Sequence, residues 1–150
     1  MKVELKKPTR ELFQLVRLWR NQEPNTHRDE LPITEAQQNN YYDFYVLNEN
    51  RMDRKYLSIV VDGKEVGICG LKNIHDCRGD IMIHIDPLQR NRGIGKKVVF
   101  KLIDHAKKNW GIISVSGSYS WKNEGGKKFW DKICDEHGWI RVVVFTPESI

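Results

Sequence analysis

Arg90, Arg92, Gly93, Gly95 and Lys96 crowd into the run LQRNRGIGKKVVF, residues 88–100, just before an apolar series with helical spacing. That combination can grip an anion. The first N–H groups of a helix have no intrahelical acceptor, and the aligned peptide dipoles place partial positive charge at the same end. Gly93 and Gly95 lack a β-carbon, so a phosphate oxygen can come close to the main chain. Cationic side chains on the rim add charge-assisted bonds of roughly 1.5–3 kcal/mol each. The spacing is neither the GxxxxGK[ST] of a P-loop nor the GxGxxG of a dinucleotide fingerprint. A metal is not expected either: His75, Cys77 and His84 match no zinc spacing, and the odd count of three cysteines (Cys69, Cys77 and Cys134) contains no CxxC pair and reads as reduced thiols.

The elements that must position this run follow from periodicity. KVELKK near the start alternates like a strand, and Thr9 can cap a helix whose Leu12, Leu15, Val16 and Trp19 share a face and which ends near Asn21. QEPNTHRDELP reads as loop, and TEAQ at 34–37 offers a capping box for a second helix to about Leu47. In KYLSIVVDGKEVGICGLKNI two β-rich runs flank Asp62-Gly63, a dipeptide suited to a tight hairpin. GDIMIHID, residues 79–86, is a further strand, closed by Pro87, which has no N–H for the ladder. Ile94, Val98, Val99, Leu102, Ile103, Ala106 and Trp110 keep helical spacing, with lysines mostly on the other side. IISVSGSY is a strand, Asn123 to His137 a helix ended by Gly138, and WIRVVVF a last strand. The order strand, two helices, three strands, helix, strand, helix, strand gives a mixed α/β class, expected as one domain over residues 1–150.

Such a chain could bury about 70% of the surface its unfolded form exposes, which needs no disulfide. No apolar run approaches the roughly 20 residues of a membrane helix, and no signal-peptide pattern follows Met1, so a cytoplasmic protein with no membrane partner is expected. The net charge of +5 favours anionic partners. No nucleic-acid reader motif is present, and the lysines of the helix from 94 to 110 are explained by a solvated face, so nucleic acid is not the expected partner.

The run Arg90-Asn91-Arg92-Gly93-Ile94-Gly95, preceded by IHIDP, resembles the RxxGxG/A acyl-CoA signature of the GNAT superfamily of N-acetyltransferases. LWRN at 18–21, DGKEVGICGL at 62–71 and an asparagine followed by KKFW in the last helix extend the resemblance over nearly the whole chain. LWRN is most similar to the branch of ribosomal-protein N-terminal and amino-sugar-nucleotide acetyltransferases.

The resemblance implies a mostly antiparallel, twisted sheet, flanked by helices, whose fourth and fifth strands splay apart to admit the pantetheine arm of acetyl-CoA. By that analogy the main chain of Ile83, His84 and Ile85 meets pantetheine and thioester, Arg90, Asn91, Arg92, Gly93, Ile94, Gly95 and Lys96 hold the pyrophosphate, and Asn123 opens the last helix near the cofactor. Asn123 equally suits a helix cap. The implied reaction is direct attack of a primary amine on the thioester, by a monomer or homodimer that needs acetyl-CoA as donor and no metal. At pH 7 about four lysine side chains in ten thousand are neutral against roughly a tenth of α-amino groups, so an N-terminal amine or amino sugar needs less help from a base. Asp80 stands near where several relatives carry a base, and His84 has a suitable intrinsic pKa. Asp80 after Gly79 also suits a turn, and His84 a hydrogen-bonded core position. Where many relatives place a proton-donating tyrosine this chain has Trp130, which leaves Tyr119, Ser120 or water. Trp19, Arg20, Asn21, His27, Arg28 and Tyr41 to Tyr45 are the expected acceptor lining, with most of the aromatic cluster in the core; Arg20 and Arg28 would suit a phosphate or carboxylate.

Overall fold

The computed structural model describes residues 1–23, 32–120, 123–136 and 140–145. Six strands, β1 (Val3–Lys6), β2 (Lys55–Val61), β3 (Lys64–His75), β4 (Arg78–Ile85), β5 (Ser114–Ser120) and β6 (Ile140–Phe145), form one sheet in sequence order. The first four run antiparallel; β5 lies parallel to both β4 and β6. Asp62 and Gly63, both at positive φ, turn the β2–β3 hairpin as the dipeptide predicts.

Helices α1 (Arg10–Gln22) and α2 (Glu35–Tyr41) cover one face, and α3 (Ile94–Asn109) and α4 (Glu124–Glu136) the other. The larger core joins Ile59, Leu71 and Ile81 of the sheet to Ile94, Val98, Leu102, Trp130 and Ile133; the smaller joins Leu12, Phe13 and Val16 to Tyr42, Tyr56 and Ile68. Thr9 caps α1 through the Leu12 N–H, and Thr34 and Gln37 close the predicted capping box of α2. The chain continues past α2 as one wide π turn, Tyr42–Val46, in which the Leu47 N–H donates to the Tyr42 carbonyl.

One predicted face shifts. Phe13, not Leu15, is buried with Leu12 and Val16, and Leu15 is exposed. At about 100° per residue the buried arc centres on Val16, with Phe13 about 60° and Leu15 about 100° from it. The loop ends of the prediction that involve His27, Arg28, Gly138 and Trp139 lie outside the described residues.

Candidate active site

The sheet is forked. β4 and β5 pair only at Arg78↔Ser114, Gly79↔Val115 and Asp80↔Ser116; beyond that point Ile81–Ile85 and β5 from Gly117 diverge. A cleft of about 940 Å³ runs through the gap. Its lining comes from both faces of the sheet: Gln89, Gly93, Gly95, Lys96, Asn123 and Phe129 at the α3–α4 side, and Arg20, Gln38, Tyr41, Arg54 and Tyr56 at the α1–α2 side. Ile83, His84 and Ile85 line it along β4. From Ile81 to Ile85 the strand is paired, among the described residues, with β3 on one edge only, so the other edge offers main-chain groups to a ligand lying in the gap.

At the α3 end, Gly93 occupies the cap position at φ 78°, a left-handed conformation that glycine adopts without steric cost, and no side chain caps the helix. A Cβ on Gly93 would have nothing within 4 Å. Gly95 is needed for a reason the sequence does not suggest: a Cβ there would come 2.9 Å from the Phe129 ring, so the glycine also lets α4 close on the front of α3. Asn91 holds φ 63°, and with Arg92 and Gly93 it is exposed. The Arg92 guanidinium bonds Gln89, whereas Arg90 is half-buried and engaged: its Nε donates to the Ile85 carbonyl (3.1 Å) and its Nη1 pairs with Glu23. Arg90 therefore ties the loop to the end of β4 and of α1. Lys96 lines the cleft beside it.

The two candidate bases part company. His84, buried on β4 and 6.1 Å ring to ring from Trp19, lines the cleft at the fork. Asp80 does not line it. Its carboxylate accepts from Asn73 Nδ2 (2.8 Å) and from Ser116 Oγ, where β4 and β5 still pair, and it acts as the clasp of the fork. Asn123 does what its alternative reading says, accepting the Gly126 N–H (2.9 Å) at the start of α4, and it lines the cleft as well. Trp130 is buried over β5: a Cβ on Gly117 would lie 2.6 Å from its indole ring.

On the α1–α2 side, Arg20 and Tyr41 line the cleft as expected. Asn21 instead clamps the Ile33 backbone from both sides, at 3.0 and 2.8 Å. Tyr42 is core, packed edge-on against Phe13, and Phe44 points outward, half exposed, against the expectation for that cluster. The lining residues that sequence reasoning missed include Arg54, Tyr56 and Lys72. Register explains them: Tyr56↔Gly70, Ile68↔His84 and Lys72↔Asp80 put alternate residues of three strands on His84's side. Tyr56 and Tyr41 share a hydroxyl–hydroxyl bond, Arg54 donates to Tyr41 (3.0 Å), and the Arg54 guanidinium lies 4.0 Å over the Tyr45 ring. Burial pushes the Tyr56 phenol well above its ordinary value and draws the Arg20 guanidinium below its own.

Among the described residues no group of three or more His, Cys, Asp or Glu could hold a metal, and no helix is long and apolar enough to cross a membrane. The family model described as Acetyltransferase (GNAT) family matches residues 12–135. No curated protein matches. Similar solved structures include spermidine N-acetyltransferase from Vibrio cholerae in complex with CoA and spermine, at 12% identity over 87% of this chain and 78% of that one, TM-score 0.74. RimL, a ribosomal-protein α-N-acetyltransferase in complex with coenzyme A, is similar at 13% identity over 88% and 78%, TM-score 0.74. AAC(6')-Ib in complex with paromomycin and acetyl-CoA is similar at 16% over 88% and 81%, TM-score 0.71. At such identities the likeness is one of fold.

Proposed function

Because the chain belongs to the GNAT family of acetyltransferases, we propose that it moves an acetyl group from acetyl-CoA to a primary amine by direct attack in a ternary complex. The observation that carries this reading is the continuity of the cleft, from the uncapped front of α3, through the fork, to the α1–α2 face. Donor and acceptor can then enter from opposite faces of the sheet and meet at β4.

Each of this chain's groups then has a task. The α3 amides beyond Gly93, with Lys96 and Arg92 nearby, receive the pyrophosphate, and Arg90 holds their loop in place. The free edge of Ile83–Ile85 pairs with the pantetheine amides as a neighbouring strand would. His84 takes the proton as the amine nitrogen bonds to the thioester carbon and the carbon–sulfur bond breaks; Asp80, clasped by Asn73 and Ser116, is not the base. Trp130 supplies no proton. The thiolate, the conjugate base of a thiol with pKa about 8.5, leaves without full protonation or draws a proton from the cleft hydroxyl of Tyr119 or from water.

Thiol release from acetyl-CoA across a panel of primary amines tests this. Turnover on at least one amine is expected. His84→Gln should lower kcat by about 100-fold to 10,000-fold with the thermal shift from CoA retained, while Asp80→Asn should leave the pH profile in place. CoA binding without turnover on any amine would make the protein a cofactor-binding domain instead.

A further inference from the structure

We propose that Trp130, seated on Gly117 at the closed end of the fork, makes the donor site select a short acyl group, so that acetyl is accepted and longer chains are turned away. This rests on the acetyltransferase reading above and names the donor class of the same site.

The donor's direction decides which part of it meets Trp130. The loop before α3 adjoins the open end of β4: Arg90 Nε donates to the Ile85 carbonyl at 3.1 Å, and a Cβ on Gly95 would lie 3.6 Å from Ile85 Cδ1. From Ile85 the free edge runs back to Ile81, about 13 Å of strand, and ends where Asp80 pairs with Ser116. A cofactor with its pyrophosphate at α3 and its pantetheine along that edge therefore points its sulfur at the closed end. Whatever the sulfur carries enters the apex, between Ile81 and Gly117.

The apex is apolar and closely packed on its α3–α4 side. Ile81, Trp130 and Ile133 line the cleft there, at 4%, 4% and 1% exposure. Gly117, the first residue of β5 beyond its last pair with β4, brings the indole this far in. A Cβ at that position would stand 2.6–2.7 Å from Cε3, Cδ2 and Cζ3 of Trp130, so glycine lets the ring rest on the β5 main chain. The ring is held edge-on by Phe129, with 5.0 Å between centroids and 74° between planes, and Phe129 itself closes on Gly95 of α3. The wall therefore cannot retreat without parting α4 from α3. Each methylene added to the acyl chain beyond acetyl has to enter this packed wall, and inserting extra volume into such surroundings is unfavourable.

Binding of the donor series decides the matter and needs no acceptor amine. Dissociation constants of CoA, acetyl-CoA, propionyl-CoA and butyryl-CoA are measured on the full chain by isothermal titration calorimetry. Acetyl-CoA should bind at least as tightly as CoA, and butyryl-CoA about 10-fold or more weaker than acetyl-CoA, with propionyl-CoA between them. Trp130→Leu should remove most of the acetyl-to-butyryl ratio while CoA itself still binds, and Trp130→Phe, which keeps a ring against Phe129, should remove part of it. Leu102→Ala empties fully buried volume on α3 outside the cleft lining and should keep the wild-type ratio. Equal binding of acetyl-CoA and butyryl-CoA to wild type, a ratio unchanged in the Trp130 variants, or the same loss of ratio in Leu102→Ala would overturn the assignment. Should one Trp130 variant fail to fold, the other and the wild-type series still decide. CoA bound with a flat ester series overturns the selectivity alone, whereas failure of CoA and all three esters to bind overturns the acetyltransferase reading together with it.

Discussion

Replacing Gly93 by valine separates two effects that meet at one residue. Gly93 sits at φ 78° with nothing within 4 Å of a would-be Cβ, so the new side chain enters open space at the cleft rim rather than a packed neighbour. The left-handed backbone alone costs an L-residue about 1–2 kcal/mol, and β-branching adds to that. Ligand binding is the larger loss. If the side chain removes about 2 kcal/mol of phosphate bonding, within the range of one charge-assisted bond, the dissociation constant rises roughly 30-fold.

With wild type at a CoA concentration 100 times its Kd, ligand stabilisation of about 2.7 kcal/mol would fall to about 0.9 kcal/mol. At about 2–4 °C per kcal/mol for a chain of this size, the CoA-induced shift in Tm drops from roughly 5–11 °C to about 2–4 °C. Gly111 provides the control: φ 65°, nothing within 4 Å, at the far end of α3. Gly111→Val should lower the basal Tm by a similar amount and keep the full CoA shift. Differential scanning fluorimetry over a CoA titration measures both. A folded Gly93→Val protein with an undiminished shift, or an equal loss in Gly111→Val, would refute the placement of the pyrophosphate.

Gly117→Ala should be destabilising by about 1–3 kcal/mol in urea titrations, because its Cβ would meet the Trp130 ring at 2.6–2.7 Å where neither can yield easily. Trp130→Leu should relieve much of that loss in the double variant. The buried Cys69 thiol, pushed up by burial, is protonated in the native chain at pH values where the unfolded chain already ionises. Its folded pKa is the higher one, so its contribution is full below about pH 8.5 and declines as pH rises above that; at pH 9.5 the loss is about 1.4 kcal/mol. Urea titrations from pH 7.5 to 9.5 should show a slope that Cys69→Ala reduces by about that amount.

Much of the fold was legible because its signals are local. The Thr34–Gln37 box, Asp62-Gly63 and the apolar series from Ile94 each act within a few residues, and each forms where its pattern lies. Leu15 was misread because a helical stripe fixes spacing but not which arc meets the sheet. In the site, the glycine-bearing front of α3 was legible for the same reason, and Arg90, Lys96 and Asn123 line the cleft beside it. Arg54, Tyr56 and Lys72 carried no motif. Only the register of three strands brings them to one face.

What the sequence determined by itself is therefore the set of elements and the helix front at Gly93, since capping, turn chemistry and left-handed backbone are properties of neighbouring residues. The tertiary structure decided how Arg90 and Asp80 are employed: one ties the loop before α3 to Ile85 and Glu23, the other clasps the fork through Asn73 and Ser116. It also decided that the cleft passes through the sheet and is lined by Arg20, Arg54 and Lys72 on its α1–α2 side. Those outcomes depend on partners tens of residues away, whose positions come from packing and strand register rather than from the chain's local preferences.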